Sequence, residues 1–261
     1  MQSNELQNVM MPSTTIIIPA YNEEERIGGV LEEITDFVGA NSLNWNVIVS
    51  VDGNDGTDKV VQNYAANYPL ISLNKKGGRS GKGEAIRRAI REATGDVCII
   101  MDADGSISLR DVVENLKYTS TSDMIIFDRY SNQENNIPIL RRIPSRGYNL
   151  LVRTLFDINV NDTQCGYIIV RSKIAKDAFR KVRITNGFFY VPFIYYIKKV
   201  GGTIKEIPMK YVYNDNSKFK VSSMVIGGGI SLIAFRLRHS RFYKYVPQWV
   251  TDLYLRKFRW I

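Results

Sequence analysis

The run VCIIMDADGS, residues 97–106, decides how this chain is read. Val97 to Met101 is a short, continuous apolar stretch, which predicts a buried strand. Asp102 and Asp104 follow it at i and i+2 around Ala103, and Gly105 permits a sharp exit. A carboxylate pair placed this way can hold a hard cation through oxygen. Mg²⁺ typically takes one or two carboxylates and completes its shell with substrate phosphates and water. D-x-D alone is as easily a solvated turn, so its meaning rests on the surrounding sequence.

Working outward, Thr15 to Ile18 forms a β-branched run closed by Pro19, predicting a strand that ends in a turn. Ile27, Val30, Leu31 and Ile34 then recur at i, i+3, i+4, i+7, one apolar helix face. Asn46 to Val51 predicts a second strand ending in DGNDGT, and Val60, Val61, Tyr64, Ala65 and Tyr68 a second helix. Ile71 to Leu73 predicts a third strand. After the loop KKGGRSGKG, Ile86, Ala89, Ile90 and Ala93 predict a third helix. This alternation implies an α/β fold with a mostly parallel sheet and crossover helices. Such sheets bind ligands beyond the carboxyl ends of their strands. Pro19 to Tyr21, Asp52 and Asp102 to Asp104 all fall at such ends.

Lys82 sits in GGRSGKGEAIRRAI just before a predicted helix, where glycine backbone, helix N-terminus and ammonium suit an anion. The spacing is not that of a P-loop, and no G-x-G-x-x-G follows the first strand, which counts against a dinucleotide oxidoreductase. Asp162 opens DTQCGY, a polar turn before the apolar Tyr167 to Val170. Arg129 and Ser145-Arg146 sit between predicted elements, and arginine suits bidentate phosphate contact.

With 44% hydrophobic and 23% charged residues, the 261-residue chain has globular composition, long enough for one α/β domain and an appendage. His239 is the single histidine, against His-rich zinc sites and against histidine-based nucleophilic catalysis. Cys98 and Cys165 are expected as reduced thiols. The first eleven residues do not resemble a signal peptide and predict a flexible cytosolic start. Much of the net charge of +9 lies at the C-terminal end, where Arg236, Arg238, Arg241, Lys244, Arg256, Lys257 and Arg259 oppose only Asp252. Aromatic residues such as Tyr243, Trp249 and Trp260 are interleaved with them, a mixture that suits an anionic membrane surface. RNA stacking or a solvated basic helix pair are the alternatives. Val221 to Phe235 is apolar but too short to span a membrane, and reads as an interfacial segment or a buried core helix.

In order, IIIPAYNEEE (16–25), VDGNDGT (51–57), GKGEAIRRAIREATGD (81–96), MDADGS (101–106), SRGYNLL (145–151) and DTQCGY (162–167) resemble the inverting GT-A glycosyltransferases. Among these they resemble the dolichyl-phosphate sugar synthases, with DTQCG and GKG closer to the glucosyl than to the mannosyl branch. The resemblance spans about residues 13–220. It implies a GT-A (Rossmann-like) domain at 13–215, after a flexible start at 1–12 and before a membrane-associating helical segment at 216–261. It implies transfer of a hexose from a nucleotide-sugar of the UDP-glucose or GDP-mannose type to a polyprenyl (dolichyl) phosphate, glucose ahead of mannose. The enzyme would work at the cytoplasmic face of a membrane, with no nucleic acid as partner.

Residue by residue, the resemblance has Pro19, Tyr21, Glu23 and Asp52 contact base and ribose, with Lys82 and Ala103 also lining the donor site. Asp102 and Asp104 would bind Mg²⁺ or Mn²⁺, with Ser106 as third ligand. Arg129 and Arg146 would grip the lipid phosphate, and Lys218 would close over the diphosphate. The chain departs from the pattern at Val51-Asp52, where the family has paired acids, and at Phe127-Asp128-Arg129, where it has Gly-Ser-Arg. It also has Tyr190 and Pro192 at the family's acidic positions. A polysaccharide or diphospholipid acceptor would need a base, for which Asp162 is the candidate; a non-enzymatic nucleotide-binding membrane scaffold is the other alternative.

Overall fold

Alternate residues of the first strand enter two different cores. The computed structural model describes residues 11–132, 134–212 and 221–245. In it β1 (Thr14–Tyr21) sends Ile16 and Ile18 into one apolar cluster and Ile17 into the other, as the period of two in a strand requires. β2 (Asn46–Asp52), β3 (Ile71–Lys75), β4 (Val97–Ile100), β5 (Met124–Asp128), β6 (Ile168–Arg171) and β7 (Ile204–Pro208) complete a sheet ordered β3-β2-β1-β4-β6-β5-β7. The β1–β2, β1–β4, β2–β3 and β5–β7 pairs are parallel. β6 runs antiparallel to both neighbours.

On one face lie α1 (Glu24–Ala40), α2 (Thr57–Asn67) and the short α4 (Leu109–Val113), contributing Ile27, Leu31, Ile34, Val61 and Val112. On the other lie α3 (Lys82–Glu92), α5 (Ile139–Phe156), α6 (Ser172–Phe179), α7 (Tyr190–Lys199) and α8 (Val221–Arg238). Ile86, Val152, Ala175, Phe193 and Leu232 represent them in the second cluster. The helix faces expected from Ile27 to Ile34 and from Ile86 to Ala93 are therefore the buried ones.

Two expectations need correction, and the choice left open for Val221 to Phe235, interfacial segment or buried core helix, is resolved in part. Pro19 does not end its strand; β1 continues to Tyr21. Ile17 O accepts from Met101 N, so the groups of Ile17, and of Pro19 two residues on, face β4. The β4 pairing stops at Ile17–Ile100 while β2 pairs onward to Tyr21–Asp52. The missing Pro19 N–H therefore costs no ladder bond. Ser145-Arg146 lie inside α5 rather than between elements. Pro144 disguises that helix; Leu140, whose carbonyl it leaves unbonded in the helix, is 79% exposed and open to water. Finally, α8 is a helix that is partly core: a Cβ at Gly228 would lie 2.8 Å from the Tyr148 ring, and Leu232 and Phe235 are buried. Its Ile233 and Leu237 are exposed. No helix among the described residues is long and apolar enough to cross a membrane.

Candidate active site

The carboxyl ends of β1, β2, β4 and β5 fall on one edge, and the reversed β6 brings one more loop to it. Ile168, the first residue of β6, pairs with Ile100 and Ile126. The loop before it, DTQCGY, therefore stands beside the exits of β4 and β5. Two long-separated sequence segments meet there only because one strand runs backward.

Asp102 and Asp104 occupy the centre of this edge, both half-buried, with Ala103 between them turned into the core. Asp102 Oδ1 accepts from Lys82 Nζ at 2.5 Å. Its Oδ2 rests where only a glycine fits: a Cβ on Gly166 would lie 1.9 Å away. Asp104 Oδ1 accepts from Ser106 N at 3.0 Å and from Tyr167 Oη at 3.4 Å. Burial, together with the carboxylates of Asp104 and Asp102, pushes the Tyr167 phenol well above its usual pKa and keeps it a donor. Ser106 is buried beside the pair, and its Oγ has no hydrogen-bond partner among the described residues.

These residues fit a hard divalent cation. The donors are oxygens only, two carboxylates with one orphaned hydroxyl nearby, which suits Mg²⁺ or Mn²⁺ rather than a thiolate- or imidazole-seeking metal. No group of three or more His, Cys, Asp or Glu side chains converges anywhere among the described residues. The remaining ligands would have to come from substrate and water.

Lys82 is the first residue of α3. Burial opposes its charge, but the Asp102 carboxylate outweighs that and raises its pKa above the ordinary lysine value. The Tyr190 ring centroid lies 5.3 Å from the ammonium. Asp52 is held by donors of the chain itself. It is 3% exposed; Oδ2 accepts from Ser80 N and Ser80 Oγ, each at 2.7 Å, and from Gly81 N, while Oδ1 accepts from Arg88 Nη2 at 3.0 Å. Within the chain its task is to clamp the glycine-rich loop at the entrance to α3.

The turns after β1 and β2 are stitched together. Asn22 Oδ1 accepts from Asn54 N at 3.1 Å, Glu23 N donates to Thr57 Oγ1 at 2.8 Å, and Gly56 N donates to Glu24 Oε2 at 2.9 Å. Gly53, at φ 108°, is required, since a Cβ there would fall 2.2 Å from Asn22 Oδ1. The Glu23 carboxylate pairs with Arg26. Tyr21 stands at the rim with the Arg79 guanidinium 4.7 Å over its ring, and Pro19 sits one ladder rung deeper, opposite Ser50.

Arg129 and Asp162 form a fork: Nε to Oδ2 at 2.7 Å and Nη2 to Oδ1 at 2.9 Å, with the Arg129 backbone N–H also on Oδ2. Asp162 is fully buried. Although burial opposes its charge, the Asp162 carboxylate holds Arg129 firmly protonated. Arg146 is exposed on α5. Lys218 and the tail beyond Tyr245 lie outside the described residues. The thiols are free and buried, Cys98 pushed up to about 11 and Cys165 to about 12 by burial.

Sequence reading missed Ser80, Arg88, Gly166 and Tyr167. Gly166 and Tyr167 stood in the DTQCGY motif, but nothing local in it tells that the loop reaches the acids.

A model of the family described as Glycosyl transferase family 2 matches residues 15–179, from β1 through α6. The chain belongs to this family. Among its curated relatives within it, dolichyl-phosphate beta-glucosyltransferase of Trichomonas vaginalis is 28% identical over 223 residues, 81% of this chain and 69% of the relative. The Dictyostelium discoideum protein of that description is 27% identical, over 90% of this chain and 76% of its own length. Among solved structures, mannosyl-3-phosphoglycerate synthase of Rubrobacter xylanophilus superposes with TM-score 0.67 at 18% identity, over 87% of this chain and 74% of the other. Glucosyl-3-phosphoglycerate synthase of Mycobacterium tuberculosis, in complex with Mn²⁺, UDP and glucosyl-3-phosphoglycerate, gives 0.65 at 16%, over 85% and 80%. The likeness to these two is one of fold, the GT-A arrangement expected from the sequence. As a family 2 glycosyltransferase, the chain is an enzyme.

Proposed function

We propose that this glycosyltransferase moves glucose, with inversion, from UDP-glucose to a polyprenyl (dolichyl) phosphate, with GDP-mannose the next candidate donor. The observation that carries the reading is the Asp102–Asp104 pair at the strand exits beside Lys82, in a chain whose curated relatives are named for that transfer. Asp102 and Asp104, with Ser106 beside them, would hold Mg²⁺ or Mn²⁺, which when bound would supply positive charge against the leaving nucleoside diphosphate. Pro19, Tyr21 and Glu23 line the base and ribose end, and Asp52 acts there through the loop it clamps. Lys82 and Lys218 add positive charge against the diphosphate.

A phosphate monoester has a second pKa of about 6, so the acceptor arrives largely dianionic and needs orientation more than a base. Arg129 is already neutralised by Asp162. Arg146, exposed and in no salt bridge among the described residues, therefore carries most of the attraction to the lipid phosphate, while Arg129 orients it. Asp162, buried in the same fork, is poorly placed to serve as the base that a polysaccharide or diphospholipid acceptor would require. Arg146→Ala is expected to raise KM for polyprenyl phosphate about tenfold or more, a charge-assisted contact being worth roughly 1.5–3 kcal/mol. KM for the sugar donor should hold, and an equal rise for both substrates contradicts the assignment.

The acceptor's membrane is met by α5 as well as by the basic, aromatic C-terminal segment. Ile139, Leu140, Ile143, Leu150 and Leu151 are each half or more exposed on that helix, and Arg142 and Arg146 are interleaved among them. An apolar stripe edged by arginine suits the headgroup boundary of an anionic leaflet, here the cytoplasmic one, with the protein peripheral or monotopic. Ile143→Glu in α5 should weaken co-sedimentation with anionic liposomes several-fold without lowering the melting temperature. Unchanged sedimentation removes α5 from the membrane face. The reaction itself is tested by incubating protein and polyprenyl phosphate with labelled UDP-glucose or GDP-mannose. Labelled lipid from UDP-glucose is the expected product, and no labelled lipid from either donor refutes the proposal.

A further inference from the structure

The two metal-facing acids are not equivalent. Among the described residues Asp104 accepts from neutral donors, the Ser106 amide and the Tyr167 hydroxyl. Asp102 already holds a cation, the Lys82 ammonium at 2.5 Å, and its second oxygen is confined by the backbone at Gly166. A divalent ion approaching Asp102 must displace Lys82 or share its carboxylate, and two cations at that distance repel.

A displaced Lys82 finds no second carboxylate to pair with among the described residues. It begins α3, where the helix N-terminus is itself positive and disfavours an ammonium. Its neighbour across the site is Tyr190, a neutral phenol whose ring centroid lies 5.3 Å from the ammonium. Asp102 is its one salt-bridge partner among the described residues. The anion that can take Lys82 over is the diphosphate arriving with the donor.

We infer that Lys82 is a resident competitor for Asp102 that couples metal binding to nucleotide binding: the cation binds weakly alone and tightly once a nucleoside diphosphate has drawn Lys82 away. The inference rests on the metal assignment proposed above and deepens it. By linkage the coupling is reciprocal, so Mn²⁺ must strengthen UDP binding by the factor by which UDP strengthens Mn²⁺ binding.

The test is direct Mn²⁺ binding to the full chain, read from the electron paramagnetic resonance signal of free Mn²⁺ with and without UDP. In the wild type UDP should tighten Mn²⁺ binding at least about tenfold. Lys82→Gln should bind Mn²⁺ about tenfold more tightly than wild type without UDP, and UDP should then tighten it by a clearly smaller factor than in wild type, the part that remains being the phosphates' own hold on the ion. Lys82→Gln binding Mn²⁺ alone no better than wild type overturns the competition while leaving the metal site standing. Asp102→Asn binding Mn²⁺ like wild type, with UDP present, would remove both. Should Lys82→Gln fail to fold, acetylation of Lys82 in the wild type gives the second reading. Saturating Mn²⁺ without UDP should expose Lys82 and raise its labelling several-fold, and unchanged labelling under saturation refutes the displacement.

Discussion

Asp104→Asn is expected to lower kcat for sugar transfer on the order of a thousandfold, while the melting temperature stays within about 2 °C of wild type. The two halves of that expectation have separate causes. Asp104 is half-buried at the strand exit, and its hydrogen bonds come from the Ser106 amide and the Tyr167 hydroxyl. An Asn carbonyl can accept from both, so the turn keeps its shape. What disappears is the net charge of the acid that no cation among the described residues neutralises, and with it the strongest attraction for a divalent ion. Removing a single preorganised group that stabilises transition-state charge typically costs two to three orders of magnitude; here the substitution weakens the metal's hold as well. The measurement is transfer of labelled sugar to polyprenyl phosphate at saturating donor, across an Mn²⁺ titration, beside a thermal melt. Activity that survives both the substitution and a chelator would eliminate the metal from the reaction.

Much of this site was legible in the sequence because its parts sit at strand ends, and strand ends are marked by composition. Val97 to Met101 reads as a strand by its unbroken apolarity, and Asp102 follows as the first polar residue after it. Val47 to Val51 reads as a strand too, Ser50 apart, with Asp52 directly after it. Legibility failed where one element's role depends on a distant one. Met124 to Phe127 is as apolar as β4, yet nothing in it tells that its neighbours will be the reversed β6 and the edge strand β7. Asp52 reads as a ligand contact because it is an acid at a strand exit. Only the folded chain brings Ser80 and Arg88 around it, from 28 and 36 residues away. Helix α5 was hidden for a local reason: Pro144 breaks the pattern that Tyr148, Val152 and Phe156 continue. Its exposed stripe of Ile139, Leu140 and Ile143 adds apolar positions that periodicity alone cannot sort into core and surface.

Asp162→Ala is expected to destabilise the protein by about 3 kcal/mol or more, because it strands a charged Arg129 in a site built to neutralise it. For a chain of this size that corresponds to a fall in melting temperature of at least about 6 °C. The carboxylate is fully buried, takes both arms of the guanidinium fork, and also receives the Arg129 and Gln164 amides. Most of the expected loss comes from the unpaired cation rather than from the bond itself, since a buried pair replaced whole is often close to neutral. The double variant Arg129→Met/Asp162→Ala should therefore melt higher than Asp162→Ala alone, recovering part of the loss although two side chains are gone. The same pair of melts decides between acceptor classes. If Asp162 were the base for a neutral hydroxyl acceptor, Asp162→Ala would silence catalysis with its melting temperature nearly intact, and the double variant would melt no higher. A large fall in melting temperature, partly reversed in the double variant, assigns Asp162 to holding Arg129 in place. That leaves the nucleophile to be brought by the acceptor, as a phosphate does.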